Sequence, residues 1–132
     1  MADVKKVQQL TVTTGDKPGM LAEVASVVAE QKINIEAICA YGQEDKAVFY
    51  LVTKDNAKAK QALLAKGWQV KEEEVVMLDL ENKPGALANV AAKLKAQNVN
   101  LKFCYGTTCT ATCPARFVLK ADNNDAAIKV LK

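Results

Sequence analysis

Three cysteines fall within ten residues in the run Cys104-Tyr-Gly-Thr-Thr-Cys109-Thr-Ala-Thr-Cys113-Pro114, and a fourth stands at Cys39. Thiolates gathered this closely suit a soft metal ion or reversible thiol–disulfide chemistry. The spacing is neither the Cys-x-x-Cys of zinc ribbons and redox motifs nor that of ferredoxin clusters. Simple loop thiols are the better expectation, while Cys109 and Cys113, straddling Thr-Ala-Thr, could face each other across a hairpin or close a small disulfide ring if the geometry allows. Cys104, Cys109 and Cys113 stay open as a minor thiol or metal site. Histidine is absent from the chain, which removes the usual general base of Ser and Cys hydrolases and the commonest nitrogen ligand of zinc. No motif offers a positioned acid and base. The residues therefore point to no catalytic site and no cofactor.

A second group of residues able to bind something lies in a repeat. Asp16-Lys-Pro-Gly-Met-Leu-Ala-Glu-Val-Ala25 returns as Asn82-Lys-Pro-Gly-Ala-Leu-Ala-Asn-Val-Ala91, 66 positions later, and nine of the 19 positions from residue 16 to 34 match. Such self-similarity at a fixed period marks a duplicated supersecondary unit.

The elements that must position these residues follow from periodicity. Leu10 and Val12 before the first motif, and Val76, Leu78 and Leu80 before the second, alternate as a strand with one buried face does. After each Lys-Pro-Gly, Leu21, Val24, Ala25 and Val28, and again Leu87, Val90, Ala91 and Leu94, make one helical stripe. Proline suits the first helical turn, with Asp16 or Asn82 placed to cap its free amides. Ile33 to Cys39 and Val99 to Cys104 read as the next strands, with Cys39 and Cys104 at nearly equivalent positions as small buried hydrophobes. Ala47 to Val52 and Ala115 to Leu119 complete hairpins. Short helices begin at Lys54-Asp-Asn56 and Ala121-Asp-Asn123, and Trp68-Gln-Val70 supplies a last strand in the first copy only.

The order strand, helix, strand, strand, helix, strand is the ferredoxin-like plan. The expected fold is α+β: two βαββαβ modules in tandem, residues 1–71 and 72–132, with antiparallel sheets and helices on one face. The second copy ends without a final strand, and the edge it leaves needs cover from Met1–Lys6, from the other module or from a second chain.

Composition bounds the function. Half of the residues are hydrophobic, a quarter are charged and the net charge is +3, as in a soluble globular protein. The lysines are interspersed with acids, as in Lys71-Glu-Glu-Glu74, so no basic stripe suits nucleic acid. No apolar run has the length to cross a bilayer, and the N-terminus lacks a leader pattern, so a cytoplasmic protein with no membrane partner is expected.

The doubled Asp/Asn-Lys-Pro-Gly loop, the amphipathic helix after it and the Ile33-Asn-Ile35 or Val99-Asn-Leu101 opening of the next strand resemble the ACT domain family. The likeness covers nearly the whole chain and resembles small stand-alone tandem ACT proteins. It implies a non-catalytic regulator that binds an amino acid at the interface of paired modules, forms a homodimer and acts on a metabolic enzyme. Carried onto this chain, the implied ligand set is Asp16, Lys17, Pro18, Gly19, Met20, Leu21, Asn34 and Ile35 in the first copy. In the second it is Asn82, Lys83, Pro84, Gly85, Ala86, Leu87, Asn100 and Leu101. Elementary chemistry is compatible, since amides at a helix N-terminus attract a carboxylate and asparagine both donates and accepts. Acidic Asp16 can also pair with an ammonium group where Asn82 cannot. Two alternatives remain beside this reading: a cysteine-based metal or redox module, and a purely structural dimerisation unit.

Overall fold

The computed structural model describes residues 3–108 and 113–132. Its elements run β1 (Asp3–Gly15), α1 (Met20–Glu30), β2 (Ile35–Gln43), β3 (Lys46–Thr53), α2 (Asn56–Leu64), β4 (Gln69–Leu80), α3 (Ala86–Ala96), β5 (Leu101–Thr107), β6 (Ala115–Ala121) and α4 (Asn124–Leu131). Two compact units result: Gln8–Glu73, and Glu74–Lys132 together with the chain up to Val7. The division passes through β1 and β4. At 13 and 12 residues, each is roughly twice the usual strand length.

In the first module the sheet order is β2-β3-β1-β4, and β3 runs antiparallel to both β1 and β2. Leu10 and Val12 lie opposite Leu51 and Phe49. These side chains share a core with Met20, Val24, Val27 and Val28 of α1 and with Ala59 and Leu63 of α2. Trp68 and Val70, where the chain enters β4, pack against the same core. The Asp55 side chain caps α2 by accepting from the Lys58 amide at 3.1 Å, which satisfies one orphan donor of the first turn.

The second module repeats this plan with β6 antiparallel to β4 and β5. Its core joins Val76, Leu78 and Leu80 to Val90, Leu94, Leu119, Ala127 and Leu131. Val4 belongs to that core as well. No strand follows α4, and the start of β1 fills the place. Lys6 Nζ lies 2.6 Å from Asp125 and 3.8 Å from Glu74, and these carboxylates hold the lysine ammonium above its ordinary range. The chain up to Val7 therefore sits with the second module, whereas the sequence reading assigned 1–71 to the first.

Equivalent asparagines hold the midpoints of the long strands. Asn56 Oδ1 accepts from the Thr53 amide at 3.0 Å, and its Nδ2 donates to Gln8 O at 2.7 Å. In the second module Asn124 Oδ1 accepts from the Ala121 amide at 2.8 Å, and its Nδ2 donates to Glu74 O at 2.9 Å.

Three details depart from the sequence reading. Val75 and Met77 are as buried as Val76 and Leu78, so this part of β4 is covered on both faces and reads as an unbroken apolar run, not an alternation. Leu21 and Leu87 are 54% and 44% exposed; Met20 and Val27 take core places in α1 that the stripe assigned elsewhere. Finally, Cys39 lies opposite Tyr50 but Cys104 lies opposite Leu119, whose counterpart in the first module is Leu51. A one-residue offset reverses the face, so the two cysteines are not equivalent.

Candidate functional site

Each Lys-Pro-Gly motif forms a tight turn at the mouth of a helix. The Met20 amide donates to Lys17 O at 3.3 Å, and the Ala86 amide donates to Lys83 O at 3.3 Å. Gly19 has φ 92 and ψ −2, and Gly85 has φ 87 and ψ −8. Proline at the second position and a left-handed glycine at the third define a type II turn. The glycines are themselves the N-cap residues, and neither helix has a side-chain cap. The capping expected of Asp16 and Asn82 is not made, because the turn sets both residues three positions ahead of the cap. The first-turn amides of α1 and α3 thus lack a side-chain acceptor and remain competent to hold an anion.

Around the second turn lies a cavity of about 310 Å³. Asn82, Lys83, Gly85, Ala86 and Leu87 line it, with Pro84 in the same turn. Glu81, Ala88, Gly106, Thr107, Thr108, Ala115 and Phe117 complete the wall, and the motif did not reveal them. Glu81 and Ala88 were the legible ones, adjacent to Asn82 and to Leu87 of α3; the others come from the β5–β6 hairpin and need the fold to place them. Lys83 Nζ lies 3.1 Å from Glu81, and its hydrogen bond holds the Glu81 carboxyl below the usual range. The wall therefore carries an exposed carboxylate, paired with Lys83, beside the uncapped amides. Gly106 lets the hairpin close: a Cβ there would run into the Phe117 ring and lie 2.6 Å from Arg116 O. Arg116 in turn grips Asp79 with Nε–Oδ1 at 2.7 Å and Nη2–Oδ2 at 2.9 Å, tying β6 to β4 beside the cavity. That guanidinium keeps the Asp79 carboxyl low.

In the first module Asp16 turns away from the helix. Its Oδ2 lies 3.2 Å from where a Gly42 Cβ would stand, and its amide donates to Asp45 O at 3.0 Å. Lys17 pairs with Glu23 at 3.6 Å. Met20 is 5% exposed and belongs to the core, while Leu21 faces solvent.

The remaining expected residues lie elsewhere in each module. Asn34 and Ile35, and Asn100 and Leu101, follow the C-terminal ends of α1 and α3, and an 11-residue helix spans about 16 Å. Asn34 O accepts from the Lys54 amide at 3.1 Å, and Asn100 O accepts from the Asp122 amide at 2.9 Å. Asn100 and Leu101 line a separate cavity of about 440 Å³ with Leu94, Lys95 and Val99. Ile35 and Leu101 also pack against their cores. A single module therefore does not unite the two halves of the set.

Cys113 is disulfide-bonded, whereas Cys39 and Cys104 are free thiols; Cys109 lies outside the described residues. Cys104 is exposed as a residue, yet its sulfur is packed closely enough that burial pushes the thiol up, away from the reactive thiolate. Among the described residues no three acidic, histidine or cysteine side chains gather to hold a metal ion. None of their helices is long and apolar enough to cross a membrane.

The sequence matches a family described as an ACT domain pair over residues 5–132. No curated protein sequence matches the chain. Among solved structures, protein BT0572 from Bacteroides thetaiotaomicron is similar with 31% identity and a TM-score of 0.89, over 97% of this chain and 88% of that one. The regulatory subunit of aspartate kinase from Thermus thermophilus, in its ligand-free form, gives 18% identity and a TM-score of 0.67, over 98% and 92% of the two chains. The aspartokinase alpha and beta subunits give 16% identity and a TM-score of 0.67, over 97% and 93%. The last two likenesses concern the fold alone.

Proposed function

The chain belongs to the ACT domain family, whose members are small-molecule-binding regulatory modules, and we propose that it is a non-catalytic cytoplasmic sensor of a free amino acid. The observation that carries this reading is the uncapped start of α3 opening on the 310 Å³ cavity. That volume is at the small end of ligand pockets and suits one amino acid. The ligand carboxylate meets the first-turn amides of α3, its ammonium group meets Glu81, and an apolar side chain rests on Leu87 and Phe117. In the first module Asp16, Lys17, Pro18 and Gly19 offer a second, unequal site. Asn34, Ile35, Asn100 and Leu101 contribute from a neighbouring copy in a homodimer, since no single module brings them to its own turn.

Regulation follows by linkage: a metabolic enzyme that binds one form of the sensor better than the other responds to the amino acid, and the coupling is reciprocal. The test is a thermal-shift screen of all twenty amino acids at millimolar concentration. A hydrophobic or aromatic amino acid should raise Tm by the mass-action stabilisation of the native state, with Glu81→Gln reducing the shift. If none raises Tm, the sensor reading is lost.

The disulfide at Cys113 supports a redox reading of the same site, because the β5–β6 hairpin that carries it also supplies Thr108 and Ala115 to the cavity wall. Reduction by dithiothreitol should then change ligand affinity. Equal affinities in the oxidised and reduced protein would leave no place for a redox role.

A further inference from the structure

The cavity of the second module opens where the first module holds a side chain of its own. Helices α1 and α3 begin at equivalent residues, Met20 and Ala86. Met20 is 5% exposed and shares its core with Phe49. Ala86 lacks the Cγ, Sδ and Cε atoms of a methionine and lines the cavity together with Phe117. Phe49 and Phe117 correspond by register. Phe49 lies opposite Val12 and Ala40, and Phe117 lies opposite Leu78 and Gly106.

Gly106 decides where the second ring goes. The Phe117 ring crosses the space that a Cβ at residue 106 would take, whereas the Cβ of Ala40 closes that space to Phe49. Accordingly Phe49 is 3% exposed within its core, while Phe117 is half-buried and presents its ring to the cavity. Leu80, in the place of Thr14, is buried in its own core and returns little of the lost bulk. The first module thus plugs with its own thioether a space that the second leaves open.

We infer that Ala86 is the specificity-determining residue of the chain, and that the second module takes an unbranched apolar amino acid of methionine's shape, its side chain lying where the first module holds Met20. This rests on the reading of the cavity as an amino-acid site. A flexible, unbranched thioether fills an irregular gap and makes a favourable sulfur contact with an aromatic ring, here that of Phe117. A β-branched side chain is stiff at its first torsion and cannot follow the same path. One strong site per chain follows, because Met20 occupies the corresponding space in the first module.

Calorimetric titration of the full chain with L-methionine, L-norleucine, L-isoleucine and L-phenylalanine tests it. One equivalent of methionine or norleucine should bind per chain, about tenfold or more tighter than isoleucine or phenylalanine. Ala86→Met should abolish that binding and, by filling the space as Met20 does, raise the urea midpoint. Methionine binding that survives Ala86→Met, a preference for a branched, aromatic or polar amino acid, two equal sites per chain, or a lowered urea midpoint in Ala86→Met would each overturn the inference while leaving the amino-acid sensor standing. Failure of all twenty amino acids to bind would instead sink the sensor reading, and this inference with it.

Discussion

Gly85 and Gly106 both flank the candidate cavity, yet they are glycines for different reasons. Gly85 needs a left-handed backbone, and Gly106 needs an empty place for a Cβ. Gly85→Ala should cost about 1–2 kcal/mol. Gly106→Ala should cost more, on the order of 1–3 kcal/mol with a displaced Phe117, and because both glycines line the cavity both variants should weaken ligand binding. Urea titration of both variants makes the comparison. Asp79 gives a pH dependence of definite sign. Its carboxyl is held low in the folded state by Arg116, so its contribution is complete above the ordinary carboxylate range and is lost as pH falls through the lowered value. Asp79→Asn should therefore be less stable at neutral pH and lose less on acidification, which urea midpoints at roughly pH 7 and pH 3 would show. At this scale the Lys-Pro-Gly turns were legible, because proline and glycine in sequence dictate a type II turn. The fate of Asp16 was not, since its carboxylate lies over Gly42, a residue that only the sheet brings near.

The helices were readable from their periodicity, but the strands were only half so. The alternation read in Val76, Leu78 and Leu80 took no account of Val75 and Met77, which are buried on the second face of β4; a continuous apolar run carries no information about which side is covered. The cysteine equivalence failed by a single residue of register, an offset that the letters around Cys39 and Cys104 do not disclose. The missing last strand could not be read after α4 because it lies before Gln8. Two asparagines mark where the long strands pass from one module to the other, and each joins a strand end to a strand midpoint. Asn124→Ala removes the partners of the Ala121 amide and Glu74 O and should cost about 1–3 kcal/mol. Asn56→Ala should cost less, because Asn124 is the buried member of the pair. Denaturant midpoints of the two variants test that order.

On the scale of the molecule, the first module is complete from Gln8 onward and the second is not complete without the chain's beginning. Deleting the chain up to Val7 withdraws Val4 from the second core and Lys6 from Asp125. Amide hydrogen exchange should then accelerate in β6 and α4 while β3 and α1 keep their protection. Uniform acceleration throughout would show that the modules unfold only together.

The chain runs twice through one long strand, a helix, a hairpin and a helix, and each long strand closes one module and opens the next. In topological terms it is a ring of two five-element segments, cut once between α4 and β1. Cassettes of this kind cannot be shuffled as separate pieces: excising either module requires severing β1 and β4 in mid-strand, at the positions where Asn56 and Asn124 bind them. A circular permutant opened between α2 and β4, with its old ends joined, would by contrast keep every strand whole.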